Sequence, residues 1–300
     1  MACTDKKLKL IFGDVNLGVR GEGFTYIFSY AKGGPLSLRA GGKEWIYREP
    51  RPTYWRALTD NDRGCQLHFR SGIWLAADMY LRYKGMKMTR DGREVLDFEA
   101  PQNNSLTDHE YCDELSITFH YETLTVPAAQ TYITYTCYPC GSILVDVHYE
   151  GQEGLPEFPV MGFRMVMPTK ATGFTYEGLS GETYPDRMAG GIPGIYDVEG
   201  LPVTKYMVPQ DCGMHMETKW VKIRRNTVLD NSAKNVKETA MKVEMVDKPF
   251  AFSALPYTCQ EIENATHHEE LPPARRTVLC VYGAVRGVGG IDSWRSDVEP

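Results

Sequence analysis

Apolar residues recur at every second position through most of the chain. Leu115, Ile117, Phe119 and Tyr121 alternate with polar neighbours, as do Ile133, Tyr135 and Cys137, then Ile143, Val145, Val147 and Tyr149. The rhythm returns at Phe163, Met165 and Met167, at Phe250, Phe252 and Ala254, and at Val278, Cys280 and Tyr282. A period of two puts one set of side chains on one side of a strand, so each run predicts a strand with one buried face. Turn-forming residues separate the runs: Lys32-Gly33-Gly34, Gly41-Gly42, Asp91-Gly92, Cys140-Gly141-Ser142 and Glu150-Gly151. Regular strands joined by short turns predict an antiparallel sandwich rather than βαβ units.

Helical spacing is confined to one or two short stretches. Ile73, Trp74, Ala77, Tyr80 and Leu81 fall on one helix face, with Ser71 placed to cap its start. Thr258-Cys259-Gln260-Glu261 reads as a capping box opening a helix towards Ala265. Residues 226–238 are polar and read as a surface loop. No repeat, low-complexity tract or linker divides the chain, so residues 1–300 are expected to form a single domain.

Composition narrows the function. The 300 residues are enough for a large core, and 42% hydrophobic with 24% charged residues is an ordinary globular balance. A net charge of −6 without a basic block argues against nucleic-acid binding. Nothing approaches the roughly 18 consecutive apolar residues of a membrane span. The N-terminus lacks the apolar core and cleavage site of a secretion signal, so a cytoplasmic location is expected. In that setting the 8 scattered cysteines are expected to be free thiols. Cys137-Tyr138-Pro139-Cys140 has no second pair for a zinc site and reads as a hairpin turn; no metal site is expected.

Two glycine-broken runs carry the remaining chemistry: Trp55-Arg56-Ala57-Leu58-Thr59-Asp60-Asn61-Asp62-Arg63-Gly64 and Gly287-Val288-Gly289-Gly290-Ile291-Asp292-Ser293-Trp294. Indole is a flat apolar plate with one donor, suited to the C–H face of a sugar. Residue type alone leaves open whether Trp294 is such a platform or a core residue ending a strand. The order of segments is more telling. These runs, with Tyr176-Glu177-Gly178-Leu179-Ser180-Gly181-Glu182-Thr183-Tyr184-Pro185-Asp186-Arg187 and the stretch from Asn264 to Leu271 containing Thr266 and His267, resemble the C-terminal domain of the large bacterial β-galactosidases of glycoside hydrolase family 2. The resemblance spans roughly residues 8–298 and extends to the separately encoded small chain of heteromeric enzymes.

That resemblance implies an all-β fold, a large antiparallel β-supersandwich of the galactose-mutarotase type. It implies a non-catalytic small subunit that completes the pocket of a TIM-barrel large subunit for hydrolysis of lactose and other β-D-galactosides. The catalytic carboxylates, Mg2+ and also Na+ would then belong to the large subunit, with no cofactor on this chain. On matching positions, Trp294 would be the substrate-stacking residue, with Asp292 and Ser293 in its supporting turn. Asp60, Asn61, Asp62 and Gly64 would border a mobile loop beside the pocket, with Gly64 as hinge. The chain stops at Pro300, short of the strands that family members carry after this segment; either these have been removed or the last strand is absent.

The residues themselves offer no convincing acid–nucleophile pair, which retaining glycosidases hold about 5–5.5 Å apart. Asp60 and Asp62 sit two apart in what reads as a loop with an Asx-type turn. Glu261 and Glu263 are two apart on a short helix and so point differently. His267-His268-Glu269-Glu270 reads as solvated surface with one histidine as a hydrogen-bonder, and Asp186-Arg187 as a local ion pair. Two other functions fit the fold: a free-standing galactoside-binding module, and an aldose mutarotase-like isomerase using Glu182 with His215 or His267 as acid and base.

Overall fold

The computed structural model describes residues 6–96 and 98–290, which form two compact units with interleaved segments. One unit takes the chain up to Pro52 and Tyr80–Leu155; the other takes Thr53–Met79 and the chain from Pro156 onward. Both are built from antiparallel sheets, as the period-two pattern predicts.

In the first unit, Leu8–Gly13, Asn16–Gly21, Phe24–Ser29, Gly34–Ala40 and Lys43–Glu44 form a meander, with Leu106–Cys112 added beside the first strand. A second sheet runs in the order Ile143–Glu150, Gln130–Cys137, Leu115–Thr123, Leu81–Arg90 and Arg93–Glu94. The Gly41-Gly42 and Asp91-Gly92 turns close hairpins because both residues of each pair hold positive φ, 57° and 76° in one, 48° and 74° in the other. The sheets face each other through Phe28 on one and Phe119 and Tyr135 on the other, with centroids 6.3 and 5.8 Å apart.

Along Leu115–Thr123, buried and half-buried residues alternate without a break. The other side of that sheet carries hydroxyl pairs, Ser116 with Thr136 and Thr118 with Thr134, each at 2.8 Å. The edge strand Ile143–Glu150 departs from the pattern. Ile143, Val147 and Tyr149 are only half-buried and Val145 is exposed, because an edge strand has a neighbour on one flank alone. Cys137 and Cys140 flank the expected turn, in which the Gly141 N–H donates to Tyr138 O at 2.9 Å and Cys140 Sγ lies 3.1 Å from Ser142 Oγ.

The second unit holds a five-stranded sheet in the order Met214–Thr218, Phe250–Leu255, Thr277–Val285, Val160–Met167 and Arg51–Thr53, the last leading the chain into the unit. A four-stranded sheet runs Pro193–Glu199, Gly173–Leu179, Trp220–Arg225 and Thr239–Glu244. Phe252 of the first sheet meets Phe174 and Tyr176 of the second at 5.6 and 5.5 Å between centroids.

Here one-sided burial is corrected. Met165 and Met167 are buried, but so are Arg164 and Val166, and Ala251–Leu255 is buried throughout. A second layer is the cause. Helices α1 (Asp60–Gly64), α2 (Leu67–Ser71), α3 (Ile73–Met79) and α4 (Cys259–Glu263) belong to this unit, and Asp78 of α3 pairs with Arg164 at 2.5 Å. Asp78 also accepts from Thr53 Oγ1 at 2.5 Å, Tyr54 N–H at 2.9 Å and Gln260 Nε2 at 2.5 Å. An ionised pair away from water requires such added partners.

The helices exceed the one or two expected. Trp74 and Ala77 face inward as predicted, but Ser71 ends α2 instead of capping α3, and Tyr80 is 59% exposed beyond the helix. Gly72 closes α2, its N–H donating to His68 O at 3.0 Å, and so interrupts the stretch. The α4 capping box forms as read from Thr258 and Glu261. No helix among the described residues is long and apolar enough to cross a membrane.

Candidate functional site

The run expected to be an Asx-type loop is helix α1, and its cap explains why. Thr59 Oγ1 accepts from the Asp62 N–H at 3.2 Å, while the Asp62 carboxylate accepts from the Thr59 N–H at 2.9 Å. Such reciprocal capping satisfies two free donors at a helix start and outcompetes a local Asx turn. Asp62 also binds Arg56 Nη1 at 2.5 Å, with both side chains almost fully buried, and lies 3.5 Å from Arg286. Burial by itself would depress the Arg56 guanidinium, but Asp62 and Asp211 outweigh it and keep it protonated.

Arg56 in turn reaches the glycine-rich run near the C-terminus. Its Nη2 donates to Gly287 O at 3.1 Å, and Asn61 Nδ2 donates to Val288 O at 3.0 Å. The Asp186 carboxylate accepts from the N–H groups of Val288 and Gly289 at 3.0 and 2.7 Å, and Arg187 Nη2 donates to Gly289 O. Asp186 and Arg187 therefore grip the same backbone from two sides, which corrects their reading as a local ion pair. Gly289 and Gly290 take φ of 71° and 79°, the left-handed region that glycine enters without steric cost. A Cβ on Gly290 would lie 2.6 Å from Asn61 Nδ2. Two runs far apart in sequence thus converge on residues 287–290 of a third.

A buried acid interacts with Arg56. Asp211 accepts from Tyr184 OH at 2.8 Å, and burial, only partly offset by Arg56, pushes its carboxyl up to about 7. Asp60 is exposed, its N–H donating to Gln210 Oε1 at 2.7 Å and its carboxylate 3.2 Å from Arg63. Gly64 ends α1. Asp292, Ser293 and Trp294 lie outside the described residues.

The remaining candidates have other partners. Glu261 caps α4, whereas Glu263 accepts from the Leu58 N–H at 2.7 Å, so the two serve different segments. Glu270 binds the Thr266 N–H at 2.7 Å and His267 at 3.2 Å; the Thr266 amide, then His267, lowers its carboxyl to about 2. His268 is the more buried of the pair, with Nε2 on Tyr206 O. Glu182 accepts from Thr204 Oγ1 and the Gly213 N–H, each at 2.8 Å. His215 stacks 4.8 Å from Phe252 and lies tilted 4.5 Å from Tyr176, and burial lowers it to about 4, leaving a neutral ring at pH 7.

The sequence reads Arg56, Asp60, Asn61 and Asp62 as loop scaffolding, but it missed the grips of Asp186 and Arg187 and the buried Asp211. Its only signal for the first two was that they lie inside a run singled out for other reasons. Long-range pairing between side chain and backbone leaves no periodic trace.

Residues 20–300 match the family model for the beta galactosidase small chain. The chain is 58% identical over 299 residues to the beta-galactosidase small subunit of Latilactobacillus sakei, covering 100% of this chain and 94% of that protein. It is 32% identical over 298 residues to a beta-galactosidase of Halalkalibacterium halodurans and 31% over 294 residues to one of Streptococcus thermophilus. In both, 97% of this chain spans only 26% of the relative.

Proposed function

The chain belongs to the β-galactosidase small-chain family, and from that premise we propose that it is the small subunit of a heteromeric β-galactosidase. It acts in hydrolysis of lactose and other β-D-galactosides as one wall of a pocket whose catalytic carboxylates lie on a large subunit. The observation that carries this reading is the 58% identity to a beta-galactosidase small subunit across 94% of that protein, whereas the chain aligns with only about a quarter of the larger β-galactosidases.

The engagement of the carboxylates supports it. Asp62 is committed to a helix cap and a buried arginine, Asp186 to two amides and Glu263 to a third. A carboxylate held this way organises backbone; it is not poised to transfer a proton or attack carbon. The mutarotase alternative, Glu182 with His215 or His267, is weakened because Glu182 holds Thr204 and the Gly213 amide, His215 is packed among aromatic rings and His267 is paired with Glu270. The supersandwich as the joint arrangement of the sheets, the treatment of both units as one domain, the stacking role of Trp294, the cytoplasmic location and the metal ions of the large subunit are parts of this proposal. They rest on the resemblance.

The test is reconstitution. The purified chain alone is expected to leave lactose intact, and mixing with the large subunit is expected to yield a co-eluting, lactose-hydrolysing complex. Enzyme-like hydrolysis by the isolated chain, or a mixture that neither associates nor hydrolyses, would overturn the reading.

A further inference from the structure

We propose, independently of the pocket-wall role, that a cavity in the first unit binds a neutral mono- or disaccharide between aromatic rings and a bulged strand. The cavity measures about 630 Å3, within the roughly 300–1,000 Å3 of small-molecule sites. Its residues come from the strand Leu81–Arg90, from the connection after Glu94 and from Tyr30, which follows the strand Phe24–Ser29. His120 pairs with Gly85 and Tyr121 with Tyr83, which leaves Lys84 without a residue opposite it. Gly85 permits this bulge by holding φ at 134°. A Cβ there would meet nothing within 4 Å, so the glycine serves backbone conformation rather than close packing. The bulge breaks the two-residue period of the strand. Tyr83 and Met86 are half-buried and Met88 is buried, while Lys84 and Lys87 are exposed.

Aromatic rings and both kinds of hydrogen-bonding group meet there. Tyr30 and Phe98 are in contact, with centroids 5.2 Å apart, and both line the cavity with Tyr83. Lys84 and Lys87 supply donors and Glu94 an acceptor. Met86 adds its backbone. Met88 O accepts from the Val95 N–H at 2.9 Å, and alternate residues of a strand direct their N–H and C=O to the same flank. Those of Met86 therefore face a flank on which the described pairing stops at Thr89. The Tyr30 hydroxyl is shut off from solvent and has no hydrogen-bond partner among the described residues. Burial, then the charge of Asp14, pushes it up to about 12, so it is a neutral hydroxyl able both to donate and to accept. An apolar ligand would leave that hydroxyl unsatisfied, and an anion would meet the Glu94 carboxylate. A sugar's hydroxyls donate and accept, and its C–H faces suit aromatic rings.

The experiment titrates the full chain, without the large subunit, with lactose as the probe, read by calorimetry and saturation-transfer NMR. Two variants test the cavity: Tyr30→Phe removes only the hydroxyl, and Met86→Trp fills the space. Wild type is expected to bind lactose with a millimolar Kd. Tyr30→Phe is expected to weaken binding about tenfold through loss of one buried hydrogen bond. Its unfolding midpoint without sugar should stay the same or rise, because it no longer buries an unpartnered hydroxyl. Met86→Trp is expected to abolish binding; if it fails to fold, Tyr30→Phe alone decides. Absence of wild-type binding at about 100 mM lactose, or a Kd within about twofold of wild type in either folded variant, would overturn the site. Weaker binding by Tyr30→Phe together with a lower unfolding midpoint would make the hydroxyl structural and overturn it as well.

Discussion

The two units solve the burial of a β-sheet differently. In the first, the strand Leu115–Thr123 has one buried face and one face of hydroxyl pairs, and its core is aromatic packing of Phe28 on Phe119 and Tyr135. In the second, Ala251–Leu255 and Arg164–Met167 are covered on both faces, and the face bearing Arg164 encloses charge. A sheet needs only apolar residues to fold against one neighbour. Enclosing ions costs several kcal/mol of desolvation per charge, recovered only with close geometry and further hydrogen bonds. The unit with the candidate site is thus the one whose geometry is set by directional, buried polar contacts. That suits a role of holding a loop in one position rather than of merely being stable.

The sharpest way to break this contrast is Asp78→Ala. It would strand Arg164 in the interior and leave Thr53, the Tyr54 amide and Gln260 without their acceptor, so a loss of roughly 3–5 kcal/mol is expected. Denaturant unfolding measures it, and a loss below about 1 kcal/mol would mean that the enclosed charges are incidental. In the first unit, Phe119→Ala is expected to cost about 3–4 kcal/mol through a cavity at the sheet interface, with little dependence on pH or salt. A pronounced salt dependence there would blur the distinction.

The smallest effect is one of pH. Asp211 titrates near 7 in the fold because it is buried, against about 4 in an unfolded chain. Between those values the folded state binds more protons than the unfolded one, so this group makes stability fall as pH rises from about 4 to 7. Asp211→Asn should remove that component, so the mutant gains on wild type across the same window, by on the order of 1–3 kcal/mol at its upper end. Parallel stability–pH curves for mutant and wild type would contradict a buried acid at this place. His215, lowered to about 4, contributes with the opposite sign between about 4 and 6.5, which is why the comparison with the mutant is informative and the raw curve is not.

Much of the secondary structure was legible, and the reasons are local. Alternation from Leu115 to Tyr121, the Asp91-Gly92 turn and the Thr258–Glu261 box each depend on residues close in sequence, and each formed as read. The misreadings share a cause. Asp60 to Gly64 looked like a loop because its residues favour turns, but the reciprocal cap at Thr59 made it helical. Ser71 looked like a cap, but Gly72 ended the preceding helix there. Ile143 to Tyr149 alternated as a buried strand would, yet an edge position left them partly uncovered.

Residue order alone therefore established strands, turns, most of the inward-facing side chains of the first unit and, through its matching segments, the family. The fold had to decide which strands are central, why Arg164 is enclosed, and how Arg56, Asn61, Asp186 and Arg187 meet at residues 287–290. Periodicity records which side of a strand faces inward, because that is a property of neighbouring residues. A hydrogen bond spanning more than a hundred positions is a property of the packed chain, and it exists only once the sheets have brought its partners together.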